Sequence, residues 1–151
     1  MKHNVKQLQL QDLFIGAWVQ EYLEIPKKLS TPMYVESIFE SGDIYLDFEE
    51  NEADPFEAKI ENIRGIPITA EHLLSFHFKE VGHDVYEIMC DVFAVVAEVK
   101  ERTRYPFVRI RIEHDGGGYQ INDNILFIHQ MQKFVFDSTR KPLILKYDNH
   151  S

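Results

Sequence analysis

Two apolar periods organise the second half of this chain. Met131, Phe134, Val135 and Ser138 recur at i, i+3, i+4 and i+7, and Gln130, Lys133, Asp137 and Lys141 take the opposite side. The spacing predicts a closing helix from Ile128, stopped near Thr139 or Arg140 by Pro142. Upstream, Val108, Ile110 and Ile112 alternate with Arg109, Arg111 and Glu113, the period of a strand with one dry and one wet side. Asp115-Gly116-Gly117-Gly118 then predicts a hairpin onto residues 119–127.

The front of the chain alternates differently. Leu8 and Leu10 among Gln7, Gln9 and Gln11 predict an opening strand, and residues 13–19 lead into a second strand through Tyr22, with a bend at Gly16. Residues 26–32 read as loop. Strands at 33–39 and 43–48 are joined by Glu40-Ser41-Gly42-Asp43, and a third follows at 56–63. Short strands without a helix among them predict a small SH3-like β-barrel or coiled sheet.

From Ile66 the pattern changes. Thr69 is placed to cap a short helix with Glu71 in its first turn and Leu73, Leu74 and Phe76 turned inward; His77 and Phe78 leave it, and Val81-Gly82-His83 turns the chain. Residues 84–100 fit either period: Val85, Ile88, Val92, Val95, Val96 and Val99 lie at helical spacing, while their β-branched density favours strands interrupted near Cys90 and Asp91. Read as strands, they complete an α+β chain. Residues 1–66 form the SH3-like subdomain, and residues 67–151 form an antiparallel β-meander flanked by two helices.

Composition narrows the function. With 151 residues, 44% of them hydrophobic, the chain can bury one good core or two small ones. The net charge of -9 is uneven: residues 1–66 carry six Lys/Arg against thirteen Asp/Glu, and the remainder ten against twelve. That balance argues against a nucleic-acid binder working by bulk phosphate neutralisation. A single cysteine, Cys90, excludes an internal disulfide or a multi-cysteine zinc site and fits a reducing compartment. No apolar run has the length of a membrane span and no secretion signal is recognisable, so a cytoplasmic location without membrane contact is expected.

The candidate chemistry is sparse. Asp47, Glu49, Glu50, Glu52 and Asp54 crowd one loop without the glycine and spaced glutamate of a calcium loop, and the glycine run at 116–118 precedes a strand where a phosphate loop would open a helix. Arg109 and Arg111 project from one strand face, with Arg102 and Arg104 just before; they can grip phosphates or an acidic partner, or pair with Glu98, Glu101 or Glu113. His72 and His77 lack the spacing of a zinc pair on a helix. His129 opens the closing helix with Gln132 three residues on, an arrangement suited to capping or packing, or to a catalytic role if a cleft opens there. Neither metal nor cofactor is expected.

Three stretches together resemble a family of small proteins of Bacteroidetes and their phages and mobile elements. Its members open with a Leu-Arg-Ile-Gly-Asn-Leu-Val-like strand, carry a mid-chain Ile-Pro-Leu-Thr-Glu-Glu-x-Leu-Leu-x-x-Gly-Phe, and end with a Val-His-Gln-Leu-Gln-Asn-Leu-Tyr-Phe-Ala-Leu-Thr-Gly-Glu-Glu-Leu helix. The counterparts here are residues 13–19, 66–78 and 128–143. Ala17 replaces the asparagine, residues 138–142 replace the Thr-Gly-Glu-Glu ending, and His77 stands where the family has a helix-ending glycine, which calls for a non-glycine residue in a left-handed or otherwise adjusted conformation. The resemblance implies architecture and genomic company and carries no activity. A non-enzymatic binding or adaptor role with a protein partner is expected. The alternative is a small enzyme or effector acting on a phosphate-containing substrate, with Arg109, Arg111 and His129 converging. Oligomeric state is not readable from these patterns.

Overall fold

Strand pairing separates the chain into two antiparallel sheets, one on each side of Ile66. The computed structural model describes residues 8–148, which divide into compact units at Ile66/Pro67.

The first unit holds β1 (Trp18–Leu23), β2 (Lys28–Leu29), β3 (Met33–Ile38), β4 (Asp43–Asp47), β5 (Phe56–Lys59) and β6 (Ile63–Gly65). Their order is β2-β1-β3-β4-β5, with β6 also on β1. The sheet curls into a half-barrel around Val19, Val35, Ile44, Leu46 and Ile63, all fully buried, with Leu8, Leu13 and Met33. Two features coil it. A register shift lies between Val35 and Ser37, and Gly16, at φ +92, donates its N–H to the Val35 carbonyl at 2.8 Å. Gly42 makes the β3–β4 turn at φ +94.

Three sequence expectations change here. Gln7 lies outside the described residues, and the opening alternation of Leu8 and Leu10 becomes a 3-10 turn, Leu10–Asp12, because the Asp12 carboxylate accepts the Gln9 N–H at 2.9 Å. The 26–32 loop contains β2, whose Lys28 and Leu29 pair with Leu23 and Tyr22. The strand expected at 56–63 breaks at Ile60–Asn62: the Ile60 N–H goes to the Gly42 carbonyl at 2.8 Å, and the chain turns to reach β1.

The second unit runs α1 (Ala70–Ser75), β7 (Lys79–Gly82), β8 (Val85–Cys90), β9 (Phe93–Lys100), β10 (Phe107–Glu113), β11 (Tyr119–Asn122) and α2 (Ile128–Thr139). The strands form a meander in sequence order. Residues 84–100 are two strands around a tight turn, with Asp91 at φ 56 and Cys90 opposite Phe93. The turn expected at Val81-Gly82-His83 starts later, and β7 occupies the first two of these residues.

Thr69 caps α1, its hydroxyl accepting the His72 N–H at 3.1 Å. Leu73 and Phe76 are fully buried, whereas Leu74 is 52% exposed: a six-residue helix covers its neighbours with one narrow stripe. His77 adopts φ 70, the left-handed geometry that glycine takes at helix ends. Along α2, Ile128, Met131 and Val135 are buried with His129 and Gln132, and Phe134 and Ser138 are half-buried. Its N-terminus is capped by Gln130, whose side-chain oxygen accepts the Leu126 and Phe127 N–H groups at 2.9 and 3.1 Å. His129 and Gln132 are both buried, in keeping with the packing side of the capping-or-packing expectation. Beyond α2, Leu143 and Leu145 are buried, Tyr147 meets the Phe76 ring at 5.1 Å, and Asp148 donates its N–H to the Ser75 carbonyl at 2.8 Å.

Two substitutions probe the ends of α1 in urea unfolding of the whole chain. Thr69→Ala removes the cap and is expected to lower the stability of the second unit by about 1 kcal/mol. His77→Gly relieves a left-handed strain of roughly 1–2 kcal/mol against a glycine entropy cost of roughly 0.5–1 kcal/mol, and is expected to be stabilising.

Candidate functional site

Register assigns the side chains of the meander to two faces. Val108, Ile110 and Ile112 on β10 stand opposite Val99, Ala97 and Val95 on β9, and Tyr86 and Ile88 continue the same face onto β8. Cys90 belongs to this face, and its thiol lies 3.5 Å from the Pro142 carbonyl, so the chain leaving α2 lies against it. The other face carries cross-strand rows. One row runs Lys79, Glu87, Val96, Arg111, Ile121; a second runs Val85, Glu98, Arg109, ending at Asp123; a third runs Met89, Ala94, Glu113, Tyr119. Lys100 and Phe107 form a fourth.

Both candidate arginines therefore share one open face, and each is held by carboxylates. Arg109 donates Nε–H to Asp123 at 2.8 Å, has Nη1 3.8 Å from Glu98, and lies over the Phe107 ring at 5.4 Å from its centroid. The hydrogen bond to Asp123, reinforced by that carboxylate's charge, holds its guanidinium protonated beyond its ordinary range. Arg111 donates Nε–H to Glu113 at 3.0 Å. Lys100 sits 3.6 Å from Asp84 and 3.9 Å from Glu98. Arg109 thus pairs across strands with Glu98 of β9, as expected of exposed strand charges, whereas Arg111 pairs along its own strand with Glu113. Glu101 is engaged elsewhere, accepting the Ala70 N–H at 2.9 Å at the start of α1.

His129 is 4% exposed, with its ring stacked on Phe127 at 5.9 Å. It belongs to the interior while the arginines face water, so the three do not line a common surface. Arg102 and Arg104 sit in the exposed β9–β10 connection, Arg104 lying over its neighbour Tyr105 at 5.7 Å.

The remaining candidates resolve into local structure. In the acidic loop, Asp47 accepts the Phe48 N–H and the Asn51 side-chain amide, both at 2.8 Å, which organises a turn. No group of three or more metal-binding side chains gathers among the described residues. Gly116 and Gly117 take φ +100 and +105 in the hairpin closed by the His114 N–H and the Gly118 carbonyl at 2.7 Å. No helix among the described residues is long and apolar enough to cross a membrane.

Sequence reasoning overlooked Asp123, Met89 and Glu87 as members of the arginine face, because two come from β8 and one follows β11, and only register brings them together. No protein-family model, curated protein or solved structure matches the chain.

Cys90 is 5% exposed, and burial, followed by the charge of Asp91, pushes its thiol above the ordinary range against the opposing effect of Lys141. A disulfide reagent at neutral pH is expected to label Cys90 in the native protein at least about tenfold more slowly than in urea, because both the thiolate fraction and access fall on folding. Equal rates would show the site open.

Proposed function

We propose that this chain is a non-enzymatic binding or adaptor protein, of a mobile element or phage, that takes a protein partner on the open face of the second sheet. The curled first sheet serves as its small SH3-like barrel. One observation carries the reading: the arginine face is charge-balanced and partly apolar. Its cations are Lys79, Lys100, Arg109 and Arg111, and the carboxylates of Glu87, Glu98, Glu113 and Asp123, with Asp84 beside Lys100, leave them no positive surplus. Between them stand Met89, Tyr119, Ile121 and Phe107, from 40% to 63% exposed.

A phosphate clamp works through surplus positive charge, which this face lacks. Protein interfaces instead combine aromatic, methionine and arginine side chains with satisfied polar groups. The mobile-element setting rests on the family resemblance of residues 13–19, 66–78 and 128–143.

The test pairs capture with assay. Immobilised wild-type chain and Met89→Asp, with matched circular dichroism, are incubated in lysate of the source organism, and bound proteins are quantified by mass spectrometry. A partner retained by wild type and reduced at least about tenfold by the substitution, the loss of one well-packed apolar contact, is the expected result. Turnover of phosphate esters that Arg109→Gln abolishes, with no partner lost, would reverse the reading in favour of the enzyme.

A further inference from the structure

Sheet edges invite pairing with other chains, and folded proteins guard them with short strands, charges or bulges. Among the described residues, most edges of this protein are guarded. β2 has two residues, and β6 has three with Arg64 laid over Tyr22. β5 carries Glu57 and Lys59, the latter paired with Asp43. β7 carries Lys79 and Glu80 and has a register shift between Glu80 and Gly82. β11 has none of these. Its sequence, Tyr119-Gln120-Ile121-Asn122, is uncharged and free of proline, and it pairs with β10 in unbroken register. Its outer edge has no backbone partner among the described residues, and Tyr119 and Ile121 are 63% and 47% exposed.

We propose that β11 pairs antiparallel with β11 of a second copy, joining two five-stranded meanders into one continuous sheet about a two-fold axis at Gln120. The occupant follows from self-complementarity. Antiparallel pairing across a two-fold axis keeps each side chain on its own face, so opposed residues must share parity. Centring on Gln120 sets Tyr119 against Ile121 of the other copy, and Ile121 against Tyr119, giving two aromatic–β-branched pairs on one face. Gln120 meets Gln120 on the other face, and no charge within the strand opposes a like charge. The outward N–H and C=O groups of both strands are satisfied together.

Sedimentation equilibrium of the full chain across the micromolar range is expected to show a reversible dimer that Ile121→Lys, the usual edge guard, converts to monomer. Val81→Lys on the β7 edge is expected to leave it intact. In a Cys90→Ala background, Gln120→Cys is expected to form an intermolecular disulfide at least about tenfold faster than Tyr119→Cys, because only self-opposed residues bring their Cα atoms within bridging distance. A monomer at every concentration, a dimer indifferent to Ile121→Lys, or equal cross-linking of the two cysteine variants would overturn the pairing. A monomer would leave partner capture by the open face untouched, so the two ideas fail separately.

Discussion

The second unit depends on the register between β9 and β10. Pairing Ile110 with Ala97 and Ile112 with Val95 sends these four to one side, and Arg109, Arg111 and Glu98 to the other. A shift of one residue would invert every side chain on one strand, burying two guanidinium groups and exposing Ile110 and Ile112. The cost of burying unpaired charge excludes that alternative, so the positive side chains enforce the register that the apolar ones select. The same register delivers Glu98 to Arg109 and places Met89 and Tyr119 at either end of the row through Glu113.

Legibility in the sequence followed how local each cause was. The α2 stripe, the Thr69 cap and the Gly42 turn each depend on residues within a few positions, and all were readable from spacing. The alternation of β10 was equally plain. Residues 84–100 supported two periods because the sequence of β8, a two-residue turn and β9 happens to place valines three and four apart. Tertiary pairing decided between them. The interruption of the 56–63 strand escaped notice because its cause, the Gly42 carbonyl, lies far back in the chain.

The candidate site divided along the same line. That Arg109 and Arg111 share a face follows from β periodicity alone. Asp123 as the partner of Arg109 could not be foreseen without the β10–β11 register, which sets Asn122 opposite Ile110 and brings the next residue beside the guanidinium. His129 was marked by its position at the start of α2, yet Gln130 makes the cap; on a helix, neighbouring residues differ by about 100° in direction, so one faces the backbone entry and the other the core. Local order alone cannot separate the two.

The tail after α2 has a consequence for synthesis. The six-residue α1 is too short to persist by itself in water, and its last turn is met by Tyr147 and by the Asp148 amide, from the far end of the unit. A ribosome that has released α1 and the meander still holds back the residues that close over Phe76. The first unit is compact within the residues up to Ile66 and can fold while the chain is growing. The second must wait for residue 148, so vectorial synthesis imposes an order on two units of similar size.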